Sequence, residues 1–512
     1  MFAYLSRRLA ALFVILLGSS YLIYNLEGYS GDPIEDLRVS TAPNKMALIE
    51  QQTRLLHLDL IPPVRYFVWL RGVLGAFVGQ FDLGKTRQGV YVVDAIGNAI
   101  PTTVRLVLMA TIFAIVVGIA IGIITALRQY SRFDYTITFI SFLFFSLPVF
   151  WVAVLLKQFG AIGFNNFLAF PTISPTWIFG AAIVSTVFWC GVIGGDRRRL
   201  LIVGASAFSA TALVLWYFSA VHWFAHPGLG PIVILIMSVG VAFGVTILST
   251  GLATRAALYS ALTQAGLGLV AYFVMQPIFR SNFDGWKLLL AFVATIVVAV
   301  ASGFIWARQD KAAAVRTSVL TAVIIALFIF ADRMMQSWET YSASDAVNYR
   351  PIATVSQANP LLETTNFWMN TIDIFTHTIL PTAGLTLISF AGYVRYTRGS
   401  MLEVLNQDYI RTARAKGLTE RTVIMRHAFR NALIPLTTLM AFDFAGILGG
   451  AIITERVFGW IGMGTLFNEA IGGMDLNLLM GVSIITSGMA VLANLLADLI
   501  YSALDPRIRA VK

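Results

Sequence analysis

The first pattern in this sequence that could do chemistry resembles a nucleotide-binding loop. Residues 79–86 read GQFDLGKT, which fits the G-x-x-x-x-G-K-[ST] pattern whose backbone amides cradle phosphates. A working loop of that kind needs a strand before it, a helix after it and a distant acid for magnesium. Here Arg87, Gln88 and Gly89 follow the match. We therefore interpret it as a chance match to a short pattern.

Two histidines have a spacing that can bind a metal on a helix. His222 and His226 are four residues apart, but Pro227 and Gly228 predict a loop and no acidic residue lies close to them in the sequence. The single cysteine, Cys190, excludes an intrachain disulfide or a Cys-based metal site. We expect no metal and no cofactor. Because no cluster of nucleophile, base and acid emerges either, we do not expect an enzyme.

Acidic residues within apolar runs are the next candidates. Asp443 and Asp498 are the main ones, and a carboxylate at membrane depth is costly unless it faces a bundle interior or a watery path. We therefore take both as possible pore-lining residues. Asp443 could attract a cationic group of a cargo molecule, or it could have a structural partner or be protonated.

The densest basic stretch lies well inside the chain, between residues 408 and 435, and reads DYIRTARAKGLTERTVIMRHAFRNALIP. Ile410, Ala413 and Gly417 share one helical face, whereas the basic side chains before Gly417 point elsewhere. Gly417 can end this helix and Thr419 can cap the next one. The pattern predicts two short helices on a membrane surface. Composition alone favours a basic hairpin that is held to anionic lipid.

The composition indicates the kind of structure in which these residues lie. A mean hydropathy of +0.77 with 12% charged residues leaves too little polar surface for a soluble chain of 512 residues. Apolar runs of about 20 residues favour membrane-spanning helices over the strands of a barrel. We predict twelve spans, near 9–26, 103–127, 135–158, 177–195, 200–221, 230–252, 257–277, 287–306, 317–335, 378–397, 432–454 and 478–502.

Basic residues predict the orientation of these spans. Alternating the spans from a cytoplasmic start places most Lys and Arg residues inside, including the 408–431 region, which fits the positive-inside rule. Both termini are then cytoplasmic, and the first apolar run is an anchor rather than a cleaved signal. The net charge of +10 is a topology signal that needs no nucleic acid. Two long segments, 27–101 and 336–376, lie outside, and the first has the apolar spacing of surface helices.

The basic stretch resembles the EAA loop of ABC importer permeases, in the form of the dipeptide and oligopeptide family. Arg411, Thr412 and Ala413 occupy the EAA positions and Gly417 the following glycine, while RHAFRNALIP is similar to that family's RHALRNALIP. Other segments agree in order. These are SRRL near the start, GDP at 31–33, IPTT at 100–103, SLPVFW at 146–151, LGGAIITERVFGWIGMG at 448–464 and NLLADLIYSALDPRIR at 494–509.

The resemblance covers about residues 1–160 and 367–512, and it departs from the family in two places. Ile461 replaces the usual proline after Trp460, and MDLN at 474–477 replaces the usual RDYP. Both positions lie in the predicted outer loop before the last span. We therefore expect substrate handling or gate geometry to differ there.

The resemblance implies an all-α polytopic membrane protein with the type I ABC importer transmembrane fold. The chain would contain six core spans and, in addition, six inserted spans. It divides the chain into a first part of the permease core at 1–160, an inserted accessory module at 172–366, and a second part of the core at 367–512. An even number of inserted spans keeps the orientation of the core spans that follow. We expect the inserted helices to pack at the periphery of the pore.

The resemblance also implies function and partners. The chain would be half of an inner-membrane pore for peptides, without an ATPase site of its own. Its partners would be a second permease, two cytoplasmic ABC ATPases, an extracytoplasmic solute-binding protein and membrane lipids. The ATPase-coupling loop at 408–431 would dock an ATPase through Arg411, Thr412, Ala413, Arg414, Ala415, Lys416, Gly417, Leu418, Glu420 and Arg421.

Two alternatives stay open. Twelve spans also suit an ion-coupled secondary carrier, although carriers usually show repeated halves, and residues 1–256 and 257–512 have no convincing repeat. Within the ABC permeases, this branch also resembles importers of nickel chelates and some oligosaccharides.

Overall fold

The computed structural model describes residues 2–252, 254–307, 311–362, 365–449 and 451–504. Within these ranges it describes the backbone but not the side chains of residues 2–9, 12, 444–445, 447–449 and 496–504.

The described residues form helices, and one isolated bridge between Lys85 and Tyr91 is their only strand-like pairing. In the first half of the chain the helices are α1 (Phe2–Ser30), α2 (Glu35–Val39), α3 (Lys45–Leu56), α4 (Pro62–Leu74), α5 (Val92–Leu127), α6 (Arg132–Ser146), α7 (Val149–Leu155), α8 (Phe164–Ala169), α9 (Pro175–Ile193), α10 (Arg197–Ala220) and α11 (Gly230–Ser249).

The second half continues with α12 (Arg255–Arg280), α13 (Gly285–Trp306), α14 (Lys311–Gln336), α15 (Trp338–Ser342), α16 (Phe367–Leu405), α17 (Asp408–Ala415), α18 (Glu420–Thr422), α19 (Phe429–Gly449), α20 (Ile452–Phe458), α21 (Met463–Gly472) and α22 (Leu476–Leu504). Wider helical turns of the π type, at Leu156–Gly163 and Val423–Ala428, join α7 to α8 and α18 to α19.

In the described part of the chain, ten helical segments are long and apolar enough to cross a membrane. Nine of them coincide with predicted spans, and the tenth, Val149–Ala169, overlaps the predicted span 135–158 only at 149–158. The other two predicted spans, 9–26 and 432–454, lie mainly in α1 and α19, where some side chains are outside the described residues. The all-α polytopic class is therefore confirmed, whereas the count of twelve stays a prediction.

Two predicted spans differ in continuity from the structure. The helix expected over 135–158 breaks between α6 and α7, because Leu147 precedes Pro148 and takes an extended conformation (ψ 130°). The span expected over 432–454 also changes near its end, since α19 ends at Gly449 and α20 begins at Ile452. The outer segment 27–101 contains α2, α3 and α4, as its apolar spacing predicts.

Small residues bring α5 and α16 close together. Ala110, Ala114, Gly118, Gly122 and Ala126 recur at every fourth position of α5 and are buried. A Cβ atom at Gly118 would lie only 2.5 Å from the Cβ of Tyr393, and one at Gly122 only 2.6 Å from the Cβ of Thr397. Such stripes let two helix backbones approach without clashes. This close pair is the centre of the core, beside the contacts of α19 and α1 with α22.

The region expected to be one inserted module contains two groups of helices. α9 and α10 form a hairpin that packs against α6, whereas α11, α12, α13 and α14 form a bundle of four. The bundle meets the core where Trp368 of α16 packs on Phe279 and Phe283, and the Trp368 indole donates to the Phe279 carbonyl at 3.0 Å.

Contacts between distant segments agree with the predicted alternation of spans. Arg398 pairs with Asp134 and Arg421 contacts Leu248, and all four residues are predicted on the inner side. On the predicted outer side, Asp332 accepts from the amide of Leu229, Arg87 donates to Asp475, and Ser356 donates to Phe458. Which side faces the cytoplasm stays a prediction.

Candidate functional site

The predicted coupling loop is a helix, a tight glycine turn and a second capped helix. Gly417 has φ +75°, a left-handed conformation that suits glycine. Its amide donates to the Arg414 carbonyl at 2.9 Å, and the Leu418 amide donates to the Ala413 carbonyl at 3.4 Å, which is the Schellman pattern that ends a helix. The Thr419 hydroxyl accepts from the Thr422 amide at 3.3 Å. The predicted helix end and cap are both confirmed.

The underside of this loop is anchored in the core. Ile410 and Ala413 are buried in one cluster with Ala126 of α5 and Met401 of α16. The predicted apolar face is therefore confirmed at Ile410 and Ala413, although Gly417 itself is exposed. The other residues predicted to form the docking surface are exposed, except for half-buried Arg421: Arg411, Thr412, Arg414, Ala415, Lys416, Gly417, Leu418 and Glu420.

Charge on the loop is only partly neutralised within it. Arg414 pairs with Glu420 at 2.8 Å, and Arg411 pairs with Asp408 at 3.4 Å. Arg421 turns away from these pairs and donates to the backbone carbonyl of Leu248 in the last turn of α11. The surface thus offers a mostly basic, ordered face with a polar link to the four-helix bundle.

The two acids predicted to line a pore have different outcomes. Asp443 is half-buried, and its carboxylate accepts a hydrogen bond from the Tyr393 hydroxyl at 2.5 Å. It therefore has a structural partner on α16. Asp498 lies on α22, but its side chain is outside the described residues.

The expectation that Asp443 and Asp498 are the main buried acids is wrong. The structure buries five other carboxylates more deeply than that of Asp443, at the ends of helices or in the loops between them: Asp134, Asp332, Asp373, Glu455 and Asp475. Four of them flank the predicted spans, where the sequence looks polar, whereas Asp332 lies near the end of the predicted span at 317–335. Asp134, for example, receives two hydrogen bonds from Arg398 at 2.7 and 2.9 Å, a pairing across 264 residues.

Glu455 brings together two of the sequence segments that carried the resemblance. It is fully buried and accepts from the Thr103 hydroxyl at 2.8 Å and from the Thr465 amide at 2.9 Å. Thr103 in turn accepts from the Met463 amide at 2.7 Å. A Cβ atom at Gly462 would collide with both Thr103 and Glu455. IPTT and TERVFGWIGMG therefore form one compact cluster beside the N-terminal third of α5.

The stretch that fits a nucleotide loop has a structural role. No strand precedes it within the described residues 2–78, and the Lys85 ammonium lies 4.6 Å from the centre of the Tyr91 ring. The Lys85 carbonyl accepts from the Asn477 side chain at 2.9 Å, and the Arg87 amide donates to Asp475 at 2.7 Å. The unusual MDLN sequence thus holds the first outer segment in place. Burial raises the pKa of the Asp475 carboxyl. Hydrogen bonds from two backbone amides and the positive charge of Arg87 act in the opposite direction.

The histidine pair lies in a turn, as predicted. His222 has φ +52°, and His226 contacts Glu339 at 3.1 Å, an acid too distant in sequence to be anticipated. Among the described residues, no three His, Cys, Asp or Glu side chains are grouped closely enough to hold a metal.

The second outer segment covers the Glu455 cluster. The Asn165 side chain donates to the Ile352 carbonyl at 2.8 Å and accepts from its amide at 3.0 Å. The Ser356 amide donates to the Phe458 carbonyl at 2.9 Å, and the Thr102 hydroxyl donates to Gln357 at 2.7 Å. Residues 352–357 therefore lie directly against core helices on both sides of the insertion.

Residues 318–510 match the protein family described as "Binding-protein-dependent transport system inner membrane component". The match begins within α14, so it does not place a boundary at residue 366.

Individual relatives agree with this match. The oligopeptide transport system permease protein OppB of Mycobacterium tuberculosis (strain ATCC 25618 / H37Rv) is 46% identical over 142 residues, 28% of this chain and 44% of that protein. The oligopeptide transport system permease protein AppB of Bacillus subtilis (strain 168) is 43% identical over 147 residues, 29% and 46% of the two chains. The dipeptide transport system permease protein DppB of Escherichia coli (strain K12) is 47% identical over 143 residues, 28% and 42%. The chain spans less than half the length of each relative.

Proposed function

We propose that the chain is the permease subunit of an ATP-driven peptide importer, because residues 318–510 of this multi-helix membrane protein match the family of binding-protein-dependent transport system inner membrane components. The three relatives are named as oligopeptide or dipeptide transport permeases, which makes a short peptide the favoured cargo. The ATPase activity would belong to partner subunits.

The observation that carries this proposal is the coupling loop. Its basic upper face is exposed, whereas Ile410 and Ala413 fix its underside to α5 and α16. A lipid-bound hairpin needs an apolar face towards the membrane and basic residues at its edge. Here the apolar face is already used within the protein, so the exposed face is free to receive a partner. This favours a docking surface over a lipid anchor.

The coupling mechanism follows from these contacts. An ATPase seated on Arg411–Arg421 would move α17 when nucleotide changes its shape. Since α17 rests on α5 and α16, which pack through the glycine stripe, the two helices would move together. ATP can shift the pore only if its inward and outward states contact the ATPase differently. A rigid, well-capped helix meets that need better than a mobile loop.

We propose the remaining partners from the same arrangement. A second permease would complete the pore, and two cytoplasmic ATPases would bind the paired coupling loops. A solute-binding protein would deliver cargo at the opposite end, where the predicted outer segment 336–376 contacts Thr102 beside the Glu455 cluster and the predicted outer segment 27–101 contacts Asp475. Both termini and the coupling loop would be cytoplasmic in the inner membrane.

Reconstitution tests the proposal. The protein is purified in mild detergent with its co-purifying subunits, the binding protein and its ligand are identified, and the complex is placed in proteoliposomes. We expect uptake of that ligand to require ATP on the ATPase side and to persist after ionophores collapse the ion gradients. Uptake without ATP that stops on ionophore addition would instead identify an ion-coupled carrier.

A further inference from the structure

An open depression on the four-helix bundle collects positive charge at the predicted outer end. It has a volume of about 360 Å³, and its lining includes His226, Arg280, Arg333, Gln336 and Glu339. Arg280 is the last residue of α12, and Arg333 lies in the last turn of α14. The positive-inside rule disfavours arginines in short outer connections. Arg280 is the only Arg or Lys in the three short outer connections at 159–176, 221–229 and 278–286. Its presence here is therefore unexplained by topology.

Neither guanidinium has a carboxylate partner at hydrogen-bond distance among the described residues. The only nearby acid on the rim, Glu339, pairs with His226 at 3.1 Å. The buried carboxylate of Asp332 next to Arg333 already accepts from the amides of Leu229 and Gly230 and from Gln336. Arg280 is exposed, and no ion pair or hydrogen bond of its side chain occurs in the described structure.

Arg333 is held in place without a direct ion pair among the described residues. Its guanidinium lies 5.6 Å from the centre of the Trp368 ring and donates to the Gln336 amide oxygen at 3.1 Å. Its Nε atom is buried without an acceptor. The positive charge of Arg280 acts unfavourably on this guanidinium, and the nearby Asp332 carboxylate opposes that effect. An anion between the two arginines would relieve the repulsion between them and supply the missing acceptors.

We propose that this depression binds the phosphate group of an anionic phospholipid. Planar guanidinium groups bind phosphate oxygens through paired, charge-assisted hydrogen bonds. α12 and α14 are both candidate membrane spans, so their outer ends lie at the depth of lipid headgroups. Phe273, Val274 and Ile278 are exposed along α12 just before Arg280, and they offer apolar surface to the acyl chains.

The lipid would have a structural consequence. Arg333 lies over Trp368, and Trp368 joins the bundle to α16 of the core. A bound phosphate would therefore neutralise the positive charge of Arg333 at the point where the bundle meets the core. This role does not depend on the cargo or on the ATPase.

Thermal unfolding of the purified full-length protein tests the site with three probes at equal concentration. These are dioleoyl phosphatidylglycerol, dioleoyl phosphatidylcholine and inorganic phosphate, each added to the detergent-solubilised protein, with bound lipids counted by native mass spectrometry. We expect phosphatidylglycerol to raise the unfolding midpoint and to remain bound as a discrete adduct. Phosphatidylcholine, whose zwitterionic headgroup has no net charge, should have a smaller effect.

The variants are Arg280→Gln, Arg333→Gln and, as the matched control, Lys287→Gln at the same end of the bundle. Arg280→Gln should weaken phosphatidylglycerol binding by about tenfold, since one charge-assisted contact is lost, while Lys287→Gln should not. Because Arg280 is exposed, its variant should fold even if Arg333→Gln does not. Equal protection by inorganic phosphate would support the phosphate site but assign it to a free anion. The proposal would be overturned if Arg280→Gln binds phosphatidylglycerol as the wild type does. It would also be overturned if neither phosphatidylglycerol nor inorganic phosphate affects the wild type.

Discussion

The guanidinium of Arg421 donates a hydrogen bond to the backbone carbonyl of Leu248, which joins the proposed coupling loop to α11 of the four-helix bundle. The last turn of α11 contains no basic residue of its own, so Arg421 supplies the cation that a helix C-terminus favours. A segment predicted to be an accessory thus contacts the segment proposed to receive the ATPase.

Arg421→Ala should release this link without unfolding the protein. We expect faster amide hydrogen exchange at 246–250 and 418–424, with a change in overall stability of about 1 kcal/mol or less, because the bond is partly exposed. Hydrogen-exchange mass spectrometry checks this. Arg426→Ala, a change of an exposed arginine on the same loop, is the control. If both variants exchange like the wild type, Arg421 does not join the two segments in solution.

Gly417→Val should uncouple transport from ATP hydrolysis. Valine in a left-handed conformation costs about 1–2 kcal/mol, and this strain would displace the end of α17. Apart from its two chain neighbours, no atom of the described residues lies within 4 Å of a Cβ placed at Gly417, so the defect would come from the backbone or from an ATPase surface rather than from a clash within the chain. The measurement is ATP-driven uptake. Co-purification of the ATPases from the same preparation shows whether the complex has assembled.

Gly417→Asn separates backbone strain from lost contact with an ATPase. Asparagine tolerates the left-handed region better than valine, although its side chain reaches at least as far from the backbone. We therefore expect Asn to retain much more uptake than Val. Normal uptake by an assembled Gly417→Val complex would refute the coupling role of this turn.

The glycine stripe of α5 should be sensitive to a single methyl group. At Gly118 an added Cβ would lie 2.5 Å from the Cβ of Tyr393, whereas at exposed Gly97 on the same helix it would meet nothing within 4 Å. Both changes to alanine gain about 1 kcal/mol of helix propensity, but overpacking at Gly118 costs about 1–3 kcal/mol. Gly118→Ala should therefore unfold at a lower temperature than Gly97→Ala. The opposite order would show that α5 and α16 are not closely packed.

The sequence predicted the features that depend on local patterns. Hydropathy located most of the spans, and the glycine and threonine around 417–419 predicted the helix end and the cap, because these signals act within a few residues. Contacts across hundreds of residues left no such signal. The pairing of Asp134 with Arg398 and the cluster around Glu455 each join segments more than 250 residues apart. The alanine and glycine stripe of α5 could have been predicted, since its four-residue spacing is a local signal. An analysis of apolar content alone does not detect it.

Asp443 and Tyr393 provide a test of whether the acid faces cargo or only its partner. If the carboxylate attracts a peptide amino terminus, Asp443→Asn should reduce the preference for free over N-acetylated peptide. Tyr393→Phe removes the hydrogen bond at 2.5 Å but leaves the charge, so it should preserve that preference. Uptake of both peptides by each variant gives the comparison. The same preference in the wild type and in Asp443→Asn would assign Asp443 a structural role only.

The last prediction concerns how much of the insertion belongs to the core. Residues 352–357 contact Asn165, Thr102 and Phe458, and Asp373 of α16 accepts from Tyr341 and from the Asn359 amide, both at 3.0 Å. We therefore propose that the separable part ends near residue 336 rather than 366. A deletion that ends at residue 336 should then be less destabilising than one that ends at residue 366.

Two deletion variants compare these boundaries, each with a Gly/Ser linker in place of the removed residues. Removal of 172–336 keeps the outer segment on the Glu455 cluster, although it removes the bundle helices around Trp368 and the contact of Arg421 with Leu248. We expect this variant to insert, to retain its ATPases and to unfold at a higher temperature than the variant that lacks 172–366. The longer deletion removes the partners of Asn165 and Thr102 and leaves the Asp373 carboxylate with His377 alone. Buried polar groups without partners cost about 1–3 kcal/mol each. If the shorter deletion inserts stably but no longer binds the ATPases or the second permease, the inserted helices are part of the transport machinery, and the bundle acts on the coupling loop through Arg421.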